Sequence, residues 1–232
     1  MNQPFIQLRD LCRAYTEGGI SHSVLSGVCL DMARGERVAL LGRSGSGKST
    51  LLNLISGIDI PDRGKVIVDG MDLTALPERQ RTLFRRRHIG FVYQFFNLVP
   101  SLTARENIAF VLELNGAGPQ EMLDKTSTIL QQIGLLAMAD KFPSQLSGGE
   151  QQRIALARAL VHSPKLVLAD EPSGNLDSQT GARMLQVLDE LLALNRASML
   201  LVTHSLAVAR TADRIMTLED GRVVERDGDF AW

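Results

Sequence analysis

Two stretches of this chain carry residue types that can do phosphate chemistry. Gly42-Arg43-Ser44-Gly45-Ser46-Gly47-Lys48-Ser49 follows an apolar strand-like run and precedes a segment of helical character from Lys48 to Ser56. It fits the spacing GxxxxGK[ST] in the strand–loop–helix setting that gives the spacing its meaning. Gly45 and Gly47 let successive backbone N–H groups turn inward as an anion nest, and the helix starting at Lys48 adds its positive dipole end. Lys48 can then reach the β- and γ-phosphates of a nucleotide, and Ser49 can offer an oxygen to Mg2+. The second stretch, Leu166-Val167-Leu168-Ala169-Asp170-Glu171, is an apolar strand ending in two carboxylates. Side chains alternate along a strand, so the two cannot do one job. Asp170 suits the Mg2+ partner, through water, and Glu171 the general base that polarises an attacking water.

A third feature is Leu146-Ser147-Gly148-Gly149-Glu150-Gln151-Gln152-Arg153, where a serine and two glycines open a helix with Ile154, Ala157 and Val161 on one face. That is a second anion-binding helix end in one chain. One nucleotide has no obvious need of two such ends in one protomer.

The elements that position these residues follow from patterning. The first third reads as strands and tight turns: Ile6 to Leu8, Val28 to Met32, Arg37 to Leu41, and Lys65 to Val68 closed by the turn pair Asp69-Gly70. Thr103-Ala104-Arg105-Glu106 is a capping box opening a helix to about Leu114. Pro119 suits a first helical position, and Gly134 ends the pattern of Leu123, Leu130 and Ile133. From Leu98 to Val161 almost everything reads as helix. Strands return at 166–169 and 199–202, separated by a helix carrying Met184, Leu188, Leu191 and Leu192, and a last turn at Asp220-Gly221 joins Ile215–Leu218 to Arg222–Val224. The expected fold is α/β: a phosphate-loop core of mostly parallel sheet, with an antiparallel β region and a helical insertion.

Composition sets bounds. The 232 residues are 44% hydrophobic, enough for one large α/β domain, and the net charge of −1 gives no global reason to expect nucleic acid or an anionic membrane. Cys12 and Cys29 form no metal-ligand pattern and read as buried free thiols of a reducing compartment. The polar start is not a signal peptide, and no apolar run reaches the ~18 residues that span a bilayer. A membrane, if one is served, is expected on another chain.

Phosphate loops occur in several ATPase and GTPase classes, so the first two motifs establish nucleotide chemistry and little more. With Leu146 to Arg153 the chain resembles the ABC ATPase family, whose signature is LSGGQ-like; here Glu150 stands where many members have Gln. The resemblance implies two subunits packed head to tail, each setting its signature residues Ser147, Gly148, Gly149 and Glu150 against the γ-phosphate on the other's phosphate loop. It implies ATP held by Gly42, Arg43, Ser44, Gly45, Ser46, Gly47, Lys48, Ser49 and Thr50. Gln94 resembles the Q-loop glutamine that contacts Mg2+ and the attacking water. His204 resembles the switch histidine at the γ-phosphate. Ser173-Gly174-Asn175-Leu176-Asp177 resembles the D-loop that crosses to the partner subunit, and Tyr15 is similar to the A-loop aromatic that stacks on adenine. Taken alone, His204 reads equally as a strand-end histidine and Tyr15 as an edge-strand aromatic.

Within the family, Phe91 to Pro100, Pro143 to Leu146 and Gly174 to Asp177 resemble the LolD/MacB/FtsE-type subgroup, which pairs with FtsX-like subunits of few membrane helices. The resemblance implies one ATPase domain over 1–232. The core with its β region occupies 1–97 and 162–232, and the helical subdomain occupies 98–161. It implies a peripheral location on the cytoplasmic side of the inner membrane, an integral membrane permease partner, a second copy of the chain, and no nucleic acid. Ser205 replaces the aspartate common after the histidine, and Arg43 is unusual in the loop. Two rival readings stand beside transport: regulation of a periplasmic process without transport, and a soluble ATPase acting on ribosomes or DNA. The second is disfavoured by a single cassette with only about 100 residues between phosphate loop and signature, too few for a long coiled-coil arm.

Three features read more plainly. Arg79, Arg81, Arg85, Arg86 and Arg87 could meet anionic lipid or a partner and read first as a solvated helix face, and His22, His88 and His162 as surface residues. Phe95, Phe96, Leu98 and Val99, beside Gln94, read in part as a docking surface for a helix of the membrane subunit.

Overall fold

The computed structural model describes residues 3–174 and 177–226. Asn175 and Leu176 of the expected D-loop lie outside the described residues. The chain divides into two compact units, one built on the residues up to Arg85 together with those from Ser198 onward, the other on Arg86–Ala197.

In the first unit, β1 (Ile6–Glu17) and β2 (Ile20–Met32) form an antiparallel hairpin that reverses at Gly18 and Gly19, both at positive φ. Along β2, Val28, Leu30 and Met32 are buried while Cys29 and Asp31 are exposed, the period-two alternation of a one-sided strand. This overturns the expectation of buried thiols: both cysteines are free, but Cys29 points outward and Cys12 is only half-buried. β3 (Arg37–Leu41) is buried from Val38 onward, and α1 (Lys48–Ile55) buries Leu51, Leu54 and Ile55. β4 (Arg63–Val68) turns through Asp69-Gly70 into β5 (Met71–Asp72), and the antiparallel sheet runs β2-β1-β4-β5.

The division between units falls within α2 (Glu78–His88), the arginine helix. Its arginines are not one solvated face. Arg81 is buried, donating to the Leu76 carbonyl at 2.8 Å and pairing with Glu78. Arg85 donates to the carbonyls of Gly57 at 3.1 Å and Ser56 at 3.4 Å. These carbonyls lie at the end of α1, where a helix leaves acceptors unmet and favours cations.

The second unit contains β6 (Ile89–Val92), α3 (Ala104–Leu114), α4 (Pro119–Gln132), α5 (Gly148–Leu160), β7 (Leu166–Asp170) and α6 (Ser178–Asn195). β6 and β7 pair in parallel, with Ile89 opposite Leu166 and Val92 opposite Ala169. The expected capping box is present at α3: Glu106 accepts from the Thr103 N–H and hydroxyl, and Thr103 accepts in return from the Glu106 N–H. α5 packs on α3, α6 and β6, with Ile154 and Ala157 fully buried. Its approach to β6 is so close that a Cβ on Gly90 would sit 2.1 Å from the Ala159 carbonyl oxygen. His162 just beyond is half-buried, its Nε2 3.3 Å from the Ile89 carbonyl oxygen, not a surface residue. Because α5 is bound to both β6 and α6, this unit extends beyond the 98–161 stretch that sequence marks as helical.

The chain then returns to the first unit through β8 (Ser198–Thr203), α7 (Leu206–Ala209), β9 (Arg214–Glu219) and β10 (Arg222–Arg226). β3 lies between β8 and β9, parallel to both, and β10 folds back antiparallel to β9. The class is α/β, with parallel core strands, an antiparallel β region and a helical stretch. Among the described residues no helix is long and apolar enough to cross a membrane.

Candidate functional site

The phosphate loop leaves the buried end of β3 at Leu41 and enters α1 at Lys48. Gly45 and Gly47 take φ of 78° and 100°, a region that glycine enters without penalty. Gly47 also fails for space: a Cβ there would lie 2.7 Å from Val24 Cγ1 of β2. No side chain caps the N-terminus of α1, whose N-cap is Gly47. The loop closes on itself through Ser46 N–H to the Arg43 carbonyl at 3.1 Å. Lys48 is buried, and its ammonium donates to the carbonyls of Gly42 at 2.7 Å and Arg43 at 2.9 Å. Ser46 Oγ is buried without a hydrogen-bond partner among the described residues. Two glycines at positive φ, an uncapped helix start, a folded-back lysine and an orphaned hydroxyl together fit a phosphate chain. Arg43, Ser44 and Ser49 are exposed, and Thr50 is half-buried.

The other nucleotide residues expected in this unit are Tyr15 and His204. Tyr15 is 40% exposed on β1; its hydroxyl donates to Asp59 at 3.0 Å, and the Arg13 guanidinium sits 4.8 Å from the ring centre. That fixes one face of an aromatic plate. His204 follows β8 and is exposed. The departure at Ser205 has a structural use, since its hydroxyl accepts from the Val208 N–H and caps α7.

In the second unit, β7 ends at the half-buried Asp170, and the chain turns sharply at Glu171, which takes φ of 48°. A non-glycine residue in this region is strained, a feature that gathers at functional sites. The turn closes through Gly174 N–H to the Glu171 carbonyl at 3.0 Å. Gln94 meets it here: a Cβ on Gly174 would be 3.3 Å from Gln94 Nε2 and 3.5 Å from Glu171 Cβ. The structure thus brings Gln94 to the Glu171 turn, two residues that lie far apart in sequence.

Ser147 is the N-cap of α5, joined to Glu150 in a capping box that the sequence reading passed over. Ser147's hydroxyl and backbone N–H hold the Glu150 carboxyl below its usual range. Gly149 permits close approach of α6, because a Cβ there would lie 2.8 Å from Thr180 Cγ2. The two helix starts border a cavity of about 460 Å3 lined by Ser147, Gly148, Gly149, Arg153 and Asp177 among others. Asp177 caps α6 by accepting from the N–H groups of Gln179 at 3.1 Å and Thr180 at 3.0 Å.

Two residues that sequence reasoning missed hold these pieces together. Gln152, fully buried, donates to the Pro172 carbonyl at 2.7 Å. Arg158 donates to the carbonyls of Asn97 at 2.7 Å and Phe96 at 2.9 Å. Both sit on α5, so one helix ties the signature end to the acidic turn and to the segment after Gln94. A polar Gln152 within an otherwise apolar helix stripe was the available signal. In the Gln94 segment, Phe95 is 68% and Val99 37% exposed, whereas Phe96 and Leu98 are half-buried.

Known proteins match this geometry. The family model for ABC transporters matches residues 25–174. An uncharacterized ABC transporter ATP-binding protein of Mycobacterium tuberculosis is 48% identical over 222 residues, 96% of this chain and 90% of its own length. The lipoprotein-releasing system ATP-binding protein LolD of Pseudomonas syringae pv. tomato is 46% identical over 220 residues, 95% of this chain and 97% of its own. Among solved structures, the dimeric ATP-binding cassette MJ0796 in a post-hydrolysis state with ADP and Pi superposes with a TM-score of 0.88 at 38% identity, covering 97% of this chain and 100% of that one. Fold, motifs and relatives agree: the chain belongs to the ABC transporter family, as an ATP-hydrolysing ATP-binding subunit of the LolD type.

Proposed function

We propose that two copies of this chain close head to tail around two ATP molecules, and that closure and reopening drive an FtsX/MacB-like membrane partner. The observation that carries this is the second anion-ready helix end at Ser147–Gly149, bordering a cavity with Asp177. The same chain already offers a phosphate cradle at 42–49. Two such ends in one protomer are both used when each serves a different copy's nucleotide. The dimeric solved relatives support the reading.

In this cycle Gly42 to Thr50 hold the phosphates, Lys48 draws charge off the β- and γ-phosphates, and Tyr15 stacks on adenine. Gln94 orients a water and Glu171 takes its proton as the oxygen attacks the γ-phosphorus. The bond to the bridging oxygen breaks, leaving ADP and phosphate. His204 donates to the γ-phosphate, and Asp177 meets the partner copy. Ser49, Asp170 and Gln94 offer the hard oxygen ligands that suit Mg2+, which would neutralise phosphate charge when bound. Loss of phosphate removes the bridge, and the dimer reopens as a nucleotide-driven two-state switch. The exposed Phe95 and Val99 after Gln94 supply an apolar surface for the membrane subunit. That subunit places the chain at the cytoplasmic side of the inner membrane. The Pseudomonas relatives are named for lipoprotein release, which makes lipoproteins the first cargo to test, with efflux the alternative.

The test combines Glu171→Gln with capture of the full chain from membranes. Glu171→Gln is expected to bind ATP, turn over poorly and accumulate as dimer, and wild-type hydrolysis in it overturns the assignment. Capture is expected to recover an integral membrane protein. Recovery of a wall hydrolase with that protein replaces transport by signalling, and recovery of ribosomes or DNA removes the membrane role.

A further inference from the structure

The signature end of α5 is not simply open to a phosphate. Glu150 Oε2 accepts from the Ser147 N–H at 2.7 Å and from the Ser147 hydroxyl at 2.7 Å, while Ser147 Oγ accepts from the Glu150 N–H at 3.4 Å. The hydroxyl hydrogen that would serve a phosphate is therefore committed to a carboxylate of the same chain. A charged side chain at this position also favours the helix dipole, so it competes for the feature that attracts an anion. One turn further on, at the i+3 neighbour position, stands Arg153, which lines the same cavity as Ser147, Gly148 and Gly149. Ser147 is exposed and Glu150 half-buried, so exchange of partners needs no rearrangement of the core.

We propose that Glu150 is a latch on the ATP-bridged dimer: its carboxylate holds Ser147 and must swing to Arg153 before Ser147 can meet the γ-phosphate on the other copy. The proposal rests on the head-to-tail reading above and adds a threshold to it. Glu150 is a positioning residue acting through Ser147. Its negative charge, which any glutamate carries at neutral pH, opposes the incoming phosphates. A glutamine would close the same capping box without the charge.

The experiment measures ATP-dependent dimerisation of the full chain in the Glu171→Gln background, by sedimentation or light scattering at several salt concentrations. Adding Glu150→Gln is expected to lower the protein concentration needed for dimer by about tenfold at low salt, with the gap narrowing as salt rises. ATP affinity of the monomeric protomer is expected to stay level, and its melting temperature to fall slightly from the lost charge–dipole attraction. Adding Arg153→Gln is expected to raise the dimerisation concentration when Glu150 is present and to have no effect when Glu150→Gln accompanies it. A capping role alone gives no gain of dimer, so unchanged or weaker dimerisation in Glu150→Gln overturns the latch, as does an Arg153→Gln effect independent of residue 150. If Glu171→Gln itself forms no ATP-dependent dimer, the head-to-tail reading falls and the latch with it. If it does dimerise and Glu150→Gln changes nothing, only the latch falls.

Discussion

Gln152 Nε2 donates to the Pro172 carbonyl across 2.7 Å, one residue beyond Glu171, from a site with no solvent exposure. The bond fixes the body of the signature helix to the turn that aims Glu171. With Arg158 on the same helix holding the carbonyls of Phe96 and Asn97, α5 connects three motifs by hydrogen bonds to backbone. Within this unit α5 thus joins the signature end to the acidic turn and to the segment after Gln94, the connection through which the proposed closure would reach the proposed general base.

Gln152→Leu keeps the volume of the side chain and removes the bond. Its stability cost is expected to be about 1 kcal/mol, since the Pro172 carbonyl loses its donor while a buried Oε1 with no partner among the described residues is also removed. Turnover is expected to fall more than stability explains, by about tenfold or more, because on the proposed mechanism Glu171 is the general base and small misplacement of such a base is costly. ATP affinity, which the proposed function assigns to Gly42 to Thr50, is expected to stay within about twofold of wild type. Calorimetric ATP titration and steady-state hydrolysis of the same preparation separate the two effects.

Gly47→Ala tests the cradle at its tightest point. The residue sits at φ 100°, where a Cβ would also lie 2.7 Å from Val24 Cγ1. The backbone strain alone is about 1–2 kcal/mol. Relief requires the loop to move, and loop movement turns N–H groups away from the phosphates. ATP binding is expected to weaken at least tenfold, on the order of 1.4 kcal/mol. Gly45→Ala keeps similar strain but meets nothing within 4 Å, so it is expected to weaken binding less. Equal losses in both variants, measured by calorimetry, would place the cost in backbone conformation and not in packing against β2.

How far the sequence could be read depends on whether information is local. Gly42 to Ser49, the capping box at Thr103 and Glu106, and the strand end at Asp170 are written in short spans whose residue types fix their own geometry. Cys29 was misread because its exposure depends on which face of β2 meets the core, a matter of alternation against Val28 and Leu30. The arginines of α2 were misread because the acceptors for Arg81 and Arg85 lie at Leu76 and at the end of α1, outside the helix itself. The meeting of Gln94 with Gly174 is eighty positions apart in the chain and becomes visible only when β6 pairs with β7. Glu150 was read as a departure from a motif, although the spacing Ser147-x-x-Glu150 is itself a capping-box pattern.

Tyr15 offers a prediction on adenine recognition. Arg13 covers one face of its ring and Asp59 holds its hydroxyl, so the ring is presented without much freedom. Stacking of a base on such a ring contributes about 1–3 kcal/mol. Tyr15→Ala is expected to raise the Kd for ATP by about five- to 150-fold with little change in kcat, while Tyr15→Phe, which keeps the ring, is expected to stay within about threefold. Similar losses in both variants would assign the effect to the hydroxyl and its bond to Asp59.

The acid stability of the nucleotide-free protein should report the helix caps. Three of them rest on carboxylates held below their usual range: Glu106 by the Thr103 backbone and hydroxyl, Glu150 by the Ser147 hydroxyl and backbone, and Asp177 by Thr180. A carboxyl depressed in the folded state stays ionised there while the unfolded chain already takes up protons. Its contribution is complete above the unfolded pKa, near 4 to 4.5, and is lost as pH falls through the lower folded value. Burial also holds the His162 imidazole below its usual range, so the unfolded chain takes up that proton first as pH falls through about 6.5. The melting temperature is therefore expected to decline gently from about pH 7 and more steeply below about pH 4.5. Combining Glu106→Gln, Glu150→Gln and Asp177→Asn is expected to make that fall shallower, with a lower starting melting temperature at pH 7 from the lost charge–dipole attraction. The slope is reduced and not abolished, because Glu78, Glu219 and Glu225 keep arginine partners that also depress them. An acid slope unchanged in the triple variant would show that those arginine pairs, and not the caps, carry the acid sensitivity.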